Sequence, residues 1–369
     1  MLKNLLILSD GTEIFSGTGS VNAICSVKWS QQVNRGEELT LGSVCAGKLE
    51  ATLFTPGGQL EIPVGADVFL YKVDDAGTRT KVGLFTVERA IRPSANRYEI
   101  TAYDRVRRLD RDLSGWLESM PQWPGTLYEF AKQLCAACGV TLANGSVPNG
   151  SRAVGRFAGR GITGRQLMQW VGQAAGRFCR ATPEGALELA FYAAGDVKIA
   201  PGGESYAFLD TLSRGDYQVA PIDKVHIRAD SKDVGTVYGT GSNGYVITGN
   251  PLLTGDSDSL REAARVLYEI LQGVTYTPCR VTVPATTGIR AGDIVQVTDG
   301  NGKAFSVYVM RRVQQGQRDT LECTGSPTRE RVTASVIRTF GELQGKVLEL
   351  EASVDGLRAE NRDGAGKVA

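Results

Sequence analysis

Histidine is almost missing from this chain. Its 369 residues contain one, His226. Any Ser-His-Asp or Cys-His nucleophile would have to use that residue, and metal sites built on several histidines are excluded. A surplus of one charge is also lacking: Lys and Arg number 41 against 40 Asp and Glu. The net balance therefore gives no pull toward nucleic acid or a membrane surface. No apolar run approaches membrane-spanning length. Leu5-Leu6-Ile7-Leu8 is too short for the core of a secretion signal and is followed at once by Ser9-Asp10-Gly11. The expectation is a protein made in a cytoplasm, with no stable membrane insertion and no specific nucleic-acid sequence as partner. Seven cysteines make no disulfide-like framework, and an odd count in such a chain reads as reduced, mostly buried thiols.

What is present is glycine, 45 residues of it, with 42% hydrophobic content. That suits a turn-rich, mainly β protein of two or three domains. Residues 5–16 read as a hairpin turning at Asp10-Gly11. Strands are expected at Val21 to Trp29, Ser43 to Phe54, Val68 to Val73 and Thr80 to Val87. Arg97 to Tyr103 alternates, with Tyr98, Ile100 and Ala102 on one face, so it is a half-buried strand. Asp104 then caps a helix bearing Val106, Leu109 and Leu113. Short strands at this spacing argue a barrel or sandwich.

From Leu113 the texture turns helical. Thr126-x-x-Glu129 and Thr163-x-x-Gln166 are capping-box signatures, and Ser259-x-x-Glu262 is read as a third. Phe178 to Ala181 and Ala186 to Tyr192 form a hairpin about Pro183-Glu184-Gly185. A second β region spans about Tyr206 to Thr324. Its strands are expected at Ile222 to Arg228, Arg280 to Val283, Asp293 to Thr298, Ala304 to Val313 and Asp319 to Cys323, with a turn at Asp299-Gly300-Asn301-Gly302. Near the end, Phe340, Leu343, Val347, Leu350, Val354 and Leu357 are spaced as the a and d positions of a short coiled coil. Gly341, Gly345 and Gly356 weaken that helix by roughly 1 kcal/mol each relative to alanine.

Several patterns resemble chemistry and read better as structure. Gly239-Thr240-Gly241-Ser242-Asn243-Gly244 spells a dinucleotide fingerprint, but Tyr245-Val246-Ile247-Thr248 follows as a strand where a phosphate site needs a helix. A tolerant hairpin loop is the better reading. Cys135 and Cys138 have redox or zinc spacing without a second pair or a nearby histidine, so small core packing is favoured. Asp256 and Asp258 lack the further ligands of a calcium loop and fit helix capping. Arg105, Arg107, Arg108 and Arg111 interleave with Asp104, Asp110 and Asp112, which suits a paired surface more than a phosphate track. Asn144 and Asn149 fit a glycosylation pattern that means little without a secretion signal. Trp29, Trp116, Trp123 and Trp170 are the candidate sugar platforms. No catalytic, cofactor-binding or metal residues are assigned.

The order of motifs resembles the hub (baseplate or tail-tip hub) proteins of bacteriophage tails and related injection systems. It rests on Gly83-Leu84-Phe85-Thr86-Val87, Thr101-Ala102-Tyr103-Asp104, the Thr163 to Phe178 helix, Asn250-Pro251-Leu252-Leu253 and Gly292-Asp293-Ile294-Val295, over roughly residues 40–325. The resemblance implies an α+β, mainly β chain of two barrels. Residues 1–112 would form the first barrel and 113–204 an α+β insertion. Residues 205–327 would form a second barrel with one helix, and 328–369 a helix, short coiled coil and tail. It implies a homotrimer that forms a ring between tail tube and tail tip, in the virion tail, with a passage for DNA or effector. Its partners would be tail tube or distal tail proteins, a tail-tip or spike protein, and the tape-measure protein. The alternative is a tail-associated cell-wall hydrolase or a glycan-binding tail protein. The chain is expected to leave no room for an added hydrolase domain.

Overall fold

The structure is a computed structural model that describes residues 2–16, 21–58, 60–202, 209–228 and 235–326. The whole expected coiled-coil seam, Phe340 to Leu357, lies outside the described residues.

Seven strands of the N-terminal third close on themselves. They are β1 (Lys3–Leu8), β2 (Glu13–Phe15), β3 (Ala23–Gln32), β4 (Lys48–Phe54), β5 (Asp67–Val73), β6 (Arg79–Ser94) and β7 (Arg97–Asp104). They run in the order β3-β2-β1-β5-β6-β7-β4, and the β3–β4 pairing shuts the barrel. Alternation fills it. Leu49, Ala51 and Leu53 of β4 and Tyr98, Ile100 and Ala102 of β7 share one core with Leu6, Ile14, Val27, Trp29 and Leu70. The 55–66 connection carries Leu60 and Ile62 into the same core.

Two strands differ from the pattern reading for identifiable reasons. β6 runs on to Ser94 because its first half pairs with β5 and its second half with β7. Register shifts near Arg89 and before Ser94 absorb Arg92-Pro93. β4 begins at Lys48, not Ser43. The preceding residues leave the barrel for the helical layer, where Gly42 N donates to Arg177 O and Cys179 N to Ser43 O. Gly42 has φ +78, and a Cβ there would lie 2.4 Å from Gln169 O.

Helices α1 (Ser114–Ser119), α2 (Leu127–Ala137) and α3 (Gly164–Ala175) follow, then the hairpin of β8 (Phe178–Ala181) and β9 (Leu187–Ala190). Both threonines cap their helices as the signatures suggest: Thr126 Oγ1 accepts from Glu129 N, and Thr163 Oγ1 from Gln166 N. Strand β10 (Ala193–Ile199) pairs in parallel with β16 (Asp293–Thr298), which pairs antiparallel with β17 (Ala304–Tyr308). The expected single strand Ala304 to Val313 is broken. The chain turns at buried Val309 and Met310, leaves β17, and enters the large sheet as β18 (Arg311–Gln315). There β18 pairs with β3 on one side and β19 (Arg318–Cys323) on the other. Next come β15 (Cys279–Pro284) and β11 (Thr211–Arg214). The long strand β3 thus belongs to both β regions.

A third sheet stands apart from the second β region expected from the sequence. β12 (Lys224–Arg228) lies between β13 (Gly235–Gly239) and β14 (Gly244–Thr248), and the sheet packs on α4 (Ser257–Leu271). Helix α4 starts before the position read from Ser259-x-x-Glu262. Its cap is Asp256, whose Oδ1 accepts from Ser259 N at 2.8 Å.

Candidate functional site

Among the described residues, the conspicuous side chains converge on two structural junctions. The first is at Asp104. Strand β7 delivers this residue to the barrel's end, and a short 3-10 helix (Arg105–Leu109) begins directly after it. Asp104 Oδ1 accepts from Val106 N at 3.0 Å, and Oδ2 from Gly47 N at 2.8 Å. One carboxylate therefore stops β7, starts the helix and pins the entry to β4. A Cβ on Gly47 would stand 2.6 Å from Oδ2, so only glycine fits. Burial raises the Asp104 pKa to about 7, against the pull of the two backbone donors. The neighbouring arginines brace this corner as ion pairs: Arg105 to Asp67, Arg107 to Glu88 and Asp110, and Arg165 to Asp110. Arg108 and Arg111 donate to Gly139 O and Ala137 O at the end of α2. The basic cluster is thus engaged by the protein's own groups.

The second junction lies where β3 passes from the barrel to the other β region. Arg312 and Asp319 form a 2.6 Å ion pair with side chains 3% and 0% exposed, so water screens little of it. Arg312 also donates to Ile289 O and Thr286 O, and its guanidinium lies 4.8 Å over the Trp29 ring. Trp29 Nε1 donates to Gln314 Oε1 at 2.5 Å. Lys72 of β5 is 1% exposed and donates to Asn4 Oδ1. Burial lowers its pKa to about 8; Asp319 opposes the shift and Arg312 adds to it. Arg312 Nε, Gln314 Nε2 and Asp319 Oδ1 have no hydrogen-bond partner among the described residues. None of these long-range pairs has a sequence signature. The alternation of β18 and β19 marks the positions as inward-facing but names no partners.

The patterns that resemble chemistry resolve as follows. The Gly239 to Gly244 segment is not a hairpin. It joins the two outer strands of the small sheet, crossing the start of β12. It does hold an anion, but one of its own: Asp223 Oδ2 accepts from Ser242 N and Asn243 N at 2.9 Å each. Gly241 has φ +130, and a Cβ there would lie 2.2 Å from that carboxylate. The expected tolerance is therefore corrected to a tight constraint. Cys135 in α2 and Cys138 at its C-terminal cap are buried, and burial pushes their thiols up to about 12 and about 11, which leaves almost no thiolate at neutral pH. Asn144 exchanges two hydrogen bonds with Leu189, and Asn149 adopts a left-handed turn with φ 55. Trp170 is core, and Trp29 belongs to the junction. Trp116 and Trp123 are half-buried in a chain of rings through Phe130 and Phe157 to Trp170. His226 sits mid-strand in β12, opposite Val237 and Val246. No cluster of three or more potential metal-ligating side chains occurs among the described residues.

Few large apolar side chains are exposed among the described residues. Val21 before β3, Phe54 at the end of β4 and Val64 in the connection to β5 all belong to one end of the closed barrel. The fourth, Val237, is on β13.

A closed barrel sharing a strand with a second sheet, and bearing a helical layer, can be compared with known folds. No protein-family model matches the chain, and no curated protein does. Solved structures do. A tail protein from Neisseria meningitidis MC58 aligns with TM-score 0.54 at 13% identity, covering 87% of this chain and 95% of that one. The chain has the fold of a phage-type tail protein. A 43 kDa tail protein of prophage MuSo2 from Shewanella oneidensis aligns with TM-score 0.51 at 13% identity, over 86% of this chain and 96% of that one. A prophage tail protein from Listeria monocytogenes gives TM-score 0.51 at 11% identity, over 90% and 95%. At such identities the likeness is one of fold. It spans nearly the whole of each tail protein, so the resemblance read from ordered motifs is met by the architecture.

Proposed function

We propose that this protein is a structural, non-enzymatic tail hub: a ring of three copies in a virion tail, joining tail tube to tail tip and leaving a passage for DNA or an effector. The observation that carries the reading is the near-complete fold likeness to tail proteins, 87% of this chain against 95% of the Neisseria protein. Two features support it. The barrel, residues 1–112, is joined to the second β region, 205–327, through shared β3, so two β modules per chain are held as one body. In this reading the second region is a second barrel, and its sheets meet at the Val309-Met310 corner. The insertion, 113–204, lies outside the ring. The exposed Val21, Phe54 and Val64 give the first barrel an apolar rim for a tail tube or distal tail protein. Residues 328–369 would gather at the threefold axis through Phe340, Leu343, Val347, Leu350, Val354 and Leu357, toward a tip, spike or tape-measure partner. Electron micrographs of the purified protein test this: threefold rings are expected, and single particles without rotational symmetry would overturn it.

A further inference from the structure

Two of the seven cysteines face each other across neighbouring strands. Cys279 is the first residue of β15 and Cys323 the last of β19, and the register sets them directly opposite. Opposed residues of an antiparallel pair point to the same face, with Cα atoms about 5.5 Å or less apart. A disulfide spans Cα distances of about 4.4–6.8 Å. A hydrogen bond with Cys279 first, and burial second, push the Cys323 thiol well above its usual range. Both residues line an open cleft, with Glu37, Ser213, Arg280 and Thr324 around them. We propose that Cys279 and Cys323 form a site of oxidative modification, an intrachain disulfide that staples β15 to β19 where the chain leaves the sheet at Gly325.

The co-reactant is a low-molecular-weight disulfide such as oxidised glutathione. One cysteine loses its proton and attacks a sulfur of that disulfide, releasing a glutathione thiolate and leaving a mixed disulfide. The second cysteine then attacks the protein-bound sulfur and expels the other glutathione. One protein disulfide forms, two glutathione thiols leave, and the two protons from the protein thiols end on them. The exchange is slow, because both thiols are largely covered and the pair must open at its strand ends to be reached. It is also reversible. Ala285 N donates to Gln317 O within the same register, and counting by twos makes Cys279–Cys323 a hydrogen-bonded pair. Such pairs hold their Cα atoms about 5.5 Å apart, inside the disulfide range, and the open cleft beside them lets a reducing thiol reach the bridge. In a reducing cytoplasm the pair stays as thiols; outside it, the bridge closes. Only that timing rests on the proposed tail role.

The other cysteines supply internal controls. Cys135 in α2 and Cys138 at its C-terminal cap lie one helical turn apart, Cys179 is buried, Cys45 is half-buried and Cys25 is exposed. The folded full chain is equilibrated with oxidised glutathione at pH 8, alkylated, digested with trypsin and mapped by mass spectrometry. The expected product joins the peptides 266–280 and 319–329, with two fewer alkylated thiols, and disappears after dithiothreitol. The oxidised wild type should melt several degrees above the reduced form. Cys323→Ser and, independently, Cys279→Ala should melt identically with and without oxidant, whereas Cys135→Ser should keep the rise. A bridge mapped to Cys135–Cys138, a stable glutathione adduct on Cys279 or Cys323 with no bridge, or two free thiols after equilibration would each overturn the proposal.

Discussion

The first barrel and the rest of the molecule are held together in different ways. The barrel has its own core, and nearly all of it follows from alternation within single strands. The rest shares one cluster that runs through three helices, α4, the second β region and the small sheet. Its members come from distant parts of the chain, and polar side chains fix their arrangement: Asp104, Asp223, Asn250, Asp319 and Arg312. Repetition makes the first region tolerant of single changes. In the second, one side chain often satisfies several backbone groups, so single substitutions should cost more there.

The sharpest way to break this contrast is Arg312→Met. It leaves Asp319 buried without its countercharge and removes the stacking on Trp29. A loss of about 3–5 kcal/mol is expected in denaturant unfolding. A loss under 1 kcal/mol would mean that the junction is not held by this pair.

Lys72 tests the barrel side of the same junction through pH. Its folded pKa, about 8, lies below the ordinary lysine value of 10.5. Between those values the unfolded chain binds more protons than the folded one, so stability should climb as pH rises from 8 to 10.5. The rise should total about 3 kcal/mol. Lys72→Met should flatten that rise and be more stable than wild type at pH 7. A rise of the same size in the variant would remove Lys72 as its source.

Asp104 should show the opposite slope. Its folded pKa is raised to about 7 from 3.8. Its contribution is fully present below pH 3.8 and is lost as pH rises through 7. Asp104→Asn keeps one acceptor, strands one buried backbone donor, and should cost about 1–3 kcal/mol at pH 5. The difference from wild type should shrink toward pH 8. A constant difference across that range would contradict the assignment.

The smallest effect is expected in the small sheet. Gly241→Ala forces a methyl against the Asp223 carboxylate at a backbone angle only glycine favours, and should cost about 1–2 kcal/mol. The variant should bind nucleotides no better or worse than wild type in calorimetric titration. A neutral substitution would restore the reading of a free loop.

How far the sequence could be read follows the same divide. β7, both Thr caps, the β8–β9 hairpin and the Asp299-Gly300 turn are local objects, and local periodicity or side-chain chemistry specifies them. Asp256 reads as a capping residue, yet Ser259-x-x-Glu262 places the helix start too far inward, because the same box pattern also occurs inside a first turn. The break at Val309-Met310 was invisible, since both residues continue an apolar strand pattern and only the packing of two sheets requires the corner. β10 has no local signature, because Ala193 to Ile199 finds its partner a hundred residues later. Of the junction chemistry, only the Asp104 cap was legible, and its second bond to Gly47 was not. For the Gly239 to Gly244 segment, the strand that follows it is legible in the sequence. The carboxylate that the segment cradles comes from Asp223, which no motif points to.

The central claim is that the two β regions, joined by β3, are the assembling body of a hub. Light scattering on the full chain and on a chain ending at Gly325 tests it most directly. The account predicts three times the 39.5 kDa chain mass for the full protein and a trimer of the shortened chain as well. A monomer or dimer of the full chain would contradict the hub, and a monomeric shortened chain would contradict assembly through the β regions.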